Sequence, residues 1–474
     1  MNHHLTLREL PGVDKFIEHP IISELIEQYG RELTIYTVRA LLDNARKKIL
    51  NGETVASVDN LAADIKEMIT ALQTPSLNHV INATGIVLHT NLGRAPMGQG
   101  VVNEVARACD SYCNLEYDTN RQTRGERNVH VEHTLQVLTH AESALVINNN
   151  AAGLILTLNA LAKNREVLVS RGELVEIGGS FRLPEIMDAS GAIMVEVGTT
   201  NRTRVADYAA AVNKNTALIL KVHKSNFTTT GFTEEAEIKD LVELAHSNNI
   251  PLAYDIGSGL LTHIDGLDLE SEPNIQSAVQ SGCDLVLFSC DKLLAGPQAG
   301  AIVGRQDVIS ILMASPLRRA LRVGKLTLAA LSFVLRQWMS SETARNIPAI
   351  KMLTRNGTEL KRMADELATQ FRKDNVDCRV IESTGQYGGG TMPGATLDGF
   401  AVQIEFPGNS ANANALYSEQ LFRLLLAQRI PVLSVLRQGR LLIDVRTLQE
   451  KEMEYLIAVV AKAFHHIMGQ PGEK

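Results

Sequence analysis

The stretch DLVLFSCDKLLAGPQAG, Asp284 to Gly300, decides how this chain is read. Its apolar run, Leu285 to Phe288, has the composition of a buried strand. The run empties into Ser-Cys-Asp-Lys, and Gly296, Pro297 and Gly300 mark a loop behind it. Open α/β sheets gather their ligands at the carboxyl ends of their strands. Lys292 is therefore either a solvated charge at a strand tip or a working amine in a partly dry pocket. An arbitrary lysine is usually the former, so the surrounding chain has to decide.

Working outward, six more apolar runs share the region from about 140 to 305. They are SALVINN, EVLVS, AIMVEVG, ALILKVH, PLAYDIG and AIVG. Helical patterns such as AAGLILTLNALA and EAEIKDLVELAHSNN lie between several of them. Alternation of this kind predicts an α/β domain with a mostly parallel sheet covered on both faces. Residues 1–75 carry apolar residues at three- and four-residue spacing and predict a helical module, broken at Gly30 and Asn51–Glu53. Beyond 340, helical stretches near 356–374, 411–428 and 450–467 mix with the strand candidates CRVIES, FAVQIEF and RLLIDVRTL. The expected domains are thus 1–75, 76–340 and 341–474, the last a smaller α+β domain. GQYGGGTMPG, Gly385 to Gly394, is expected to be a mobile or tightly turning loop.

Composition narrows the class. The 474 residues are 45% hydrophobic and 21% charged, an ordinary globular balance with enough length for a large core. Aromatics are 4%, so stacking platforms for single-stranded nucleic acid are not advertised. The net charge of −7 offers no general basic field, although a local patch can still bind RNA. In the N-terminal module eight Lys and Arg face eleven Asp and Glu, a balance of −3, with only Arg46–Lys48 locally basic. Five cysteines without a CxxC pair predict neither a disulfide framework nor a zinc site. Cys109 and Cys113 would share one face of a helix, and packing is the expected role. The first residues, MNHHLTLREL, lack a basic segment followed by an apolar stretch, and no window suits a bilayer span. A cytoplasmic protein is expected.

Three strand-end features line up. VINNNAAG places Asn148 to Asn150 before Ala151, Ala152 and Gly153, small residues opening a helix. Exposed N–H groups and the helix dipole favour an anion there, though an ordinary Asn cap looks the same. In PLAYDIGSG, Asp255 closes an apolar strand, where a carboxylate is costly without a cation. Lys292, with the Ser289 hydroxyl just before it, completes the set. Phosphate loop, carboxylate and lysine, in that order, are the parts of a pyridoxal-phosphate site on an aspartate-aminotransferase-like large domain. Anion-binding residues add to it. VLHTNLGRAPMG holds His89, Asn91 and Arg94, and PLRRALRVGK holds Arg318, Arg319, Arg322 and Lys325. On a helix Arg319 and Arg322 would share a face and could converge on one tetrahedral anion. A basic surface helix is the plainer alternative.

At this point the sequence resembles the bacterial L-seryl-tRNA(Sec) selenium transferase (selenocysteine synthase) family. The matching segments include VINATGIVLHTNLGRAPM, VSRGELVEIGGSFRLP, EVGTTNRT, DIGSGLL, DKLLAGPQAGAIVG and LRRALRVGKLTLAAL. They run in order from about 80 to 332, and the flanking regions suit the family's layout. The resemblance implies a pyridoxal 5′-phosphate enzyme of fold type I. It would convert seryl-tRNA(Sec) to selenocysteinyl-tRNA(Sec) with selenophosphate, through a cofactor-bound dehydroalanyl intermediate. It also implies a homodecamer whose N-terminal module grips the tRNA. Carried over, Lys292 matches the Schiff-base lysine and Asp255 the partner of the pyridine nitrogen. Asn149, Asn150, Ala151 and Ser289 match phosphate contacts. Arg94, Arg319 and Arg322 match the arginines that cradle selenophosphate or its phosphate product. Arg171, Glu173 and His223 are expected near the cofactor. No metal is implied.

Two positions depart from the family pattern. Cys290 and Ala295 stand where glycines are usual. Both are small, so the loop keeps its course if φ is negative there. Cys290 is expected to be a packing residue; a thiol that reacts with selenium species is the lesser alternative. Two other functions fit parts of the chain. Related lyases act on small amino acids or sugar acids without tRNA, but generally lack the N-terminal module. A non-catalytic RNA-binding scaffold would not need Asp255 and Lys292 intact.

Overall fold

The seven apolar runs become seven strands of one sheet. This is seen in a computed structural model that describes residues 5–55, 57–178, 181–264, 266, 267, 269, 272–406 and 411–469. The strands are β1 (Ser143–Ile147), β2 (Glu166–Ser170), β3 (Ile193–Val197), β4 (Thr216–Val222), β5 (Leu252–Gly257), β6 (Leu285–Ser289) and β7 (Gly300–Gly304). Their spatial order is 3-2-4-5-6-7-1. Neighbours run parallel except at β7, which is antiparallel to both β6 and β1. Every residue of β1, β4, β6 and β7 is buried, which is why these runs are continuously apolar and do not alternate.

Successive side chains enter opposite layers. Val286 and Phe288 join a core with Val131, Leu135, Leu331 and Leu335. Leu285 and Leu287 join the other, with Leu154, Leu158, Met187 and Ile309. Each fully buried Leu or Phe contributes about 1.5–3 kcal/mol. A side chain at Gly300 would overlap the peptide joining Asn149 and Asn150, so glycine lets the next helix start abut β7.

The chain divides into two units, one ending at His79 and one running from Val80. In the first, helices Val13–Phe16, Pro20–Tyr29, Arg31–Leu50 and Val58–Gln73 bury Phe16, Ile22, Leu25, Val38, Leu42, Ile65 and Ile69 together. Gly30, at φ +89°, makes the break between two of these helices, and Ser57 caps the last by accepting from Asn60 N–H at 3.3 Å.

In the second unit a further core gathers Leu360, Leu367, Phe371, Val402, Ile443 and Phe464 with Ile81 and Ala83. Its sheet has five strands, in the order Val435–Arg437, Arg440–Asp444, Thr396–Ile404, Cys378–Gly388 and Ile86–Leu88. The last of these comes from the far end of the sequence: Ile86 pairs with Gln386 and Leu88 with Gly388. The segment just past the helical module thus completes the sheet of the C-terminal region before the chain enters the central sheet.

Some local expectations change. The helix Gly98–Asp110 stops before Cys113, and Cys109 and Cys113 are both exposed free thiols, not packing residues. The helix Pro316–Leu321 ends one residue before Arg322, which is extended, so Arg319 and Arg322 do not share a helical face. Gly385–Gly394 is partly strand, with a tight turn at its end.

Candidate active site

Asp255 and Lys292 rise from neighbouring parallel strands, because Asp255 of β5 sits beside Leu287 of β6. Both side chains are buried. Asn150, at the start of helix Asn150–Ala162, donates from Nδ2 to Asp255 Oδ1 at 2.7 Å, and Gly257 N–H donates to the same oxygen at 3.0 Å. Among the described residues no donor reaches Oδ2. Burial pushes the Asp255 carboxyl upward; the Asn150 and Gly257 donors and the charge of Lys292 pull it back.

The Lys292 Nζ points at the Gly390 carbonyl, 3.4 Å away. Burial and then the Arg94 guanidinium push its pKa down, while Asp255, Asp291 and Glu272 pull it up. Lys292 and Asp255 make no ion pair with each other, although each favours charge on the other. Two opposite buried charges held apart describe a site shaped for something between them.

Unpaired polar atoms point the same way. His89 Nδ1, Asn150 Oδ1, His223 Nδ1 and Ser225 Oγ are buried without a hydrogen-bond partner among the described residues. Such groups are rare in native interiors and mark ligand sites or strain. His223 donates its backbone N–H to the Asp255 carbonyl at 2.9 Å, and burial holds its imidazole neutral by pushing its pKa down to about 4. At the helix start, Asn149 Oδ1 accepts from Ala152 N–H at 2.9 Å. That leaves the N–H groups of Asn150 and Ala151 without an acceptor among the described residues, aimed where an anion is favoured. Ser289 ends β6 and is buried.

The arginines divide into two places. Arg94, itself at φ +60°, contacts both Asp291 carboxylate oxygens at 2.9 and 2.8 Å. Arg319 and Arg322 instead line a cavity of about 240 Å³, together with Arg124, Arg127, Arg318, Glu116 and Glu126. Glu116 is met by Arg127 at 2.6 Å, Arg322 at 3.0 Å and Arg124 at 3.3 Å, and Arg318 reaches Glu126 at 3.2 Å. Arg319 has no acidic partner among the described residues. The backbone anchors this cavity near the helix start, for Asn148 N–H donates to the Leu321 carbonyl at 3.0 Å. Arg94 is not among the residues lining it.

The family model described as L-seryl-tRNA selenium transferase matches residues 80–449, and one described as selenocysteine synthase N terminal matches 7–46. The chain belongs to the L-seryl-tRNA selenium transferase family. As a member it is an enzyme of selenocysteine biosynthesis. It is 39% identical over 470 residues to the L-seryl-tRNA(Sec) selenium transferase of Carboxydothermus hydrogenoformans, covering 98% of both chains. It is 41% identical over 451 residues to that of Aquifex aeolicus, covering 94% of this chain and 96% of the relative. Among solved structures, a D-glucosaminate-6-phosphate ammonia-lyase shares the fold, with a TM-score of 0.58 at 21% identity, covering 85% of this chain and 99% of that one. The central domain is therefore a pyridoxal-phosphate-type (type I) α/β fold.

Within this selenium transferase fold, the other expected residues make the following contacts. The Asn150 side chain is committed to Asp255. Glu173 is buried against Lys221 Nζ at 3.0 Å and accepts Val222 N–H at 2.9 Å, while Arg171 pairs with Glu196 at 2.7 Å. Cys290 is fully buried, and burial pushes its thiol far up, so it packs and does not present a thiolate. Ala295 has φ +56°, so the condition for a strain-free alanine is not met. Sequence reasoning missed Glu272, Ser225 and the Gly390 carbonyl; the only signal for the last was the glycine density of 385–394.

Proposed function

We propose that this chain converts seryl-tRNA(Sec) to selenocysteinyl-tRNA(Sec) with selenophosphate, using pyridoxal 5′-phosphate held by Lys292 and Asp255. The observation that carries this reading is the pair of buried opposite charges on adjacent strands, kept apart beside unpaired buried polar atoms. The donor set suits the cofactor: an amine for its aldehyde, a carboxylate for its pyridine nitrogen, and the Asn150 and Ala151 N–H groups with Ser289 for its phosphate. When bound, the cofactor supplies an electron sink for the bond breaking at the serine α-carbon.

The chain's own groups do the rest. Lys292 Nζ, with its pKa lowered by burial, takes the serine α-proton and later returns one. Asp255, fixed at Oδ1 by Asn150 and Gly257, keeps Oδ2 for a cationic nitrogen, the partner its burial demands. Arg319 offers an uncommitted guanidinium to the phosphate half of selenophosphate, with Arg322 beside it and Arg94 near Lys292. The N-terminal unit grips the tRNA. Its acidic balance confines the contact to local patches such as Arg46–Lys48. The enzyme works in the cytoplasm as a homodecamer. Exposed Tyr112 and Phe232 suit self-association, and no described helix is long and apolar enough to cross a membrane.

The test supplies seryl-tRNA(Sec) and selenophosphate to wild type, Lys292→Ala and Arg319→Ala, and reads visible absorbance and the esterified amino acid. Lys292→Ala should be colourless and inactive. Arg319→Ala should still dehydrate serine while losing selenium transfer. A colourless, active Lys292→Ala protein, or equal loss of both steps in Arg319→Ala, would overturn the assignment.

A further inference from the structure

Glu272 is a buried carboxylate that the chemistry above leaves unused; it is 4% exposed. It accepts the Ser258 hydroxyl on Oε1 and the Met392 N–H on Oε2, the latter at 3.1 Å. Ser258 lies three residues beyond Asp255, and Met392 lies two beyond Gly390, whose carbonyl faces Lys292 Nζ. One side chain thus ties the strand carrying the carboxylate to the turn that meets the lysine. We propose that Glu272 is a positioning residue, a latch that holds the 388–392 turn so that the Gly390 carbonyl stays against the Lys292 amine.

The turn needs holding. Gly390 has φ +81° and Met392 has φ +46°, the second a conformation that a residue with a side chain adopts only under constraint. A buried carboxylate is also costly unless donors meet it, which makes both hydrogen bonds obligatory. Burial raises the Glu272 pKa, and Ser258, Met392 N–H and the charge of Lys292 oppose that. A glutamine can keep the bridge. Its oxygen serves Met392 N–H and its amide donates to Ser258 Oγ, which accepts as well as donates. Alanine removes both ends.

This inference rests on the reading of Lys292 as the working amine, so the test separates the two. Hydrogen exchange of the full-length holoenzyme is followed at 388–393 in wild type, E272A and E272Q, alongside turnover. E272A should exchange this segment about 10-fold faster and lose about 10-fold or more in kcat, with KM for seryl-tRNA changed less than about two-fold. E272Q should restore both to near wild type. Unchanged exchange in E272A, or a glutamine as damaging as the alanine, would overturn the latch. Should E272A fail to fold, E272D, one methylene too short to span both partners, carries the same comparison. An active Lys292→Ala protein would instead sink the reading of the site and leave the exchange result standing.

Discussion

Replacing Gly390 by alanine separates the cost of strain from the cost of misplacing the amine. At φ +81° a side chain pays the left-handed penalty, about 1–2 kcal/mol. The reduced freedom of the unfolded alanine chain returns about 0.4–1 kcal/mol. The new Cβ would stand 2.7 Å from Lys292 Nζ and 3.1 Å from Cε. Those atoms are the far end of a flexible side chain, so they retreat and do not break the fold. Ordinary contact begins near 3.4 Å, so the amine must withdraw by 3.4 minus 2.7, about 0.7 Å. A displacement near 1 Å at a reacting group costs up to about 100-fold in rate. The expected outcome is a loss of about 1 kcal/mol in stability, a melting shift of about 1 °C for a chain of this length, with kcat down about 10- to 100-fold. Thermal melting and single-turnover selenium transfer measure the two effects. Turnover within twofold of wild type, or a melt lowered by more than about 10 °C, would refute the reasoning. Gly388→Ala is the contrast. There the Cβ would fall on the Leu88 carbonyl oxygen, backbone that cannot step aside, so the protein should lose its fold and its activity together.

Ala295→Gly should change stability by less than about 1 kcal/mol. Relief of the left-handed φ gains about 1–2 kcal/mol, lost glycine freedom takes about 0.5–1, and the lost buried methyl about 0.8. Urea unfolding checks this, and a loss above about 2 kcal/mol would show that the methyl's packing outweighs the strain. The His223 imidazole has a folded pKa of about 4, below its ordinary 6.5, so the unfolded chain binds the extra proton between those values. Its contribution is therefore complete above pH 6.5 and is lost as pH falls towards 4, by up to about 3 kcal/mol at 1.36 kcal/mol per unit. His223→Gln should flatten that part of the stability profile; an identical acid limb in both proteins would refute it.

Much of the fold could be read from the sequence, because buried strands must be largely apolar runs and all seven were visible as such. Asp255 and Lys292 were legible for the same reason, since a charge at the end of such a run stands out. The helical N-terminal module was equally plain from its spacing. What stayed hidden depended on distant pairing. Nothing local in IVL, Ile86–Leu88, says that it completes a sheet with residues 378–388. The Glu272 bridge and the Asn150 bond to Asp255 join segments 120 and 105 residues apart, and neither leaves a periodic trace. Family glycines drew attention to position 295, but only the backbone shows that its φ is positive. The arginine run was visible, whereas the end of its helix at Leu321 was not.

The pairing of Ile86 with Gln386 has a consequence for how the protein is made. The two residues are 300 positions apart, 386 minus 86. At about 5–20 residues per second, the strand Ile86–Leu88 leaves the ribosome roughly 15–60 s before its partner is synthesised. During that interval it has no neighbour on that side, and Lys292 also precedes the Gly390 carbonyl by 98 residues. The central sheet can form while the chain is still growing, but its pocket closes only after most of the C-terminal region has emerged.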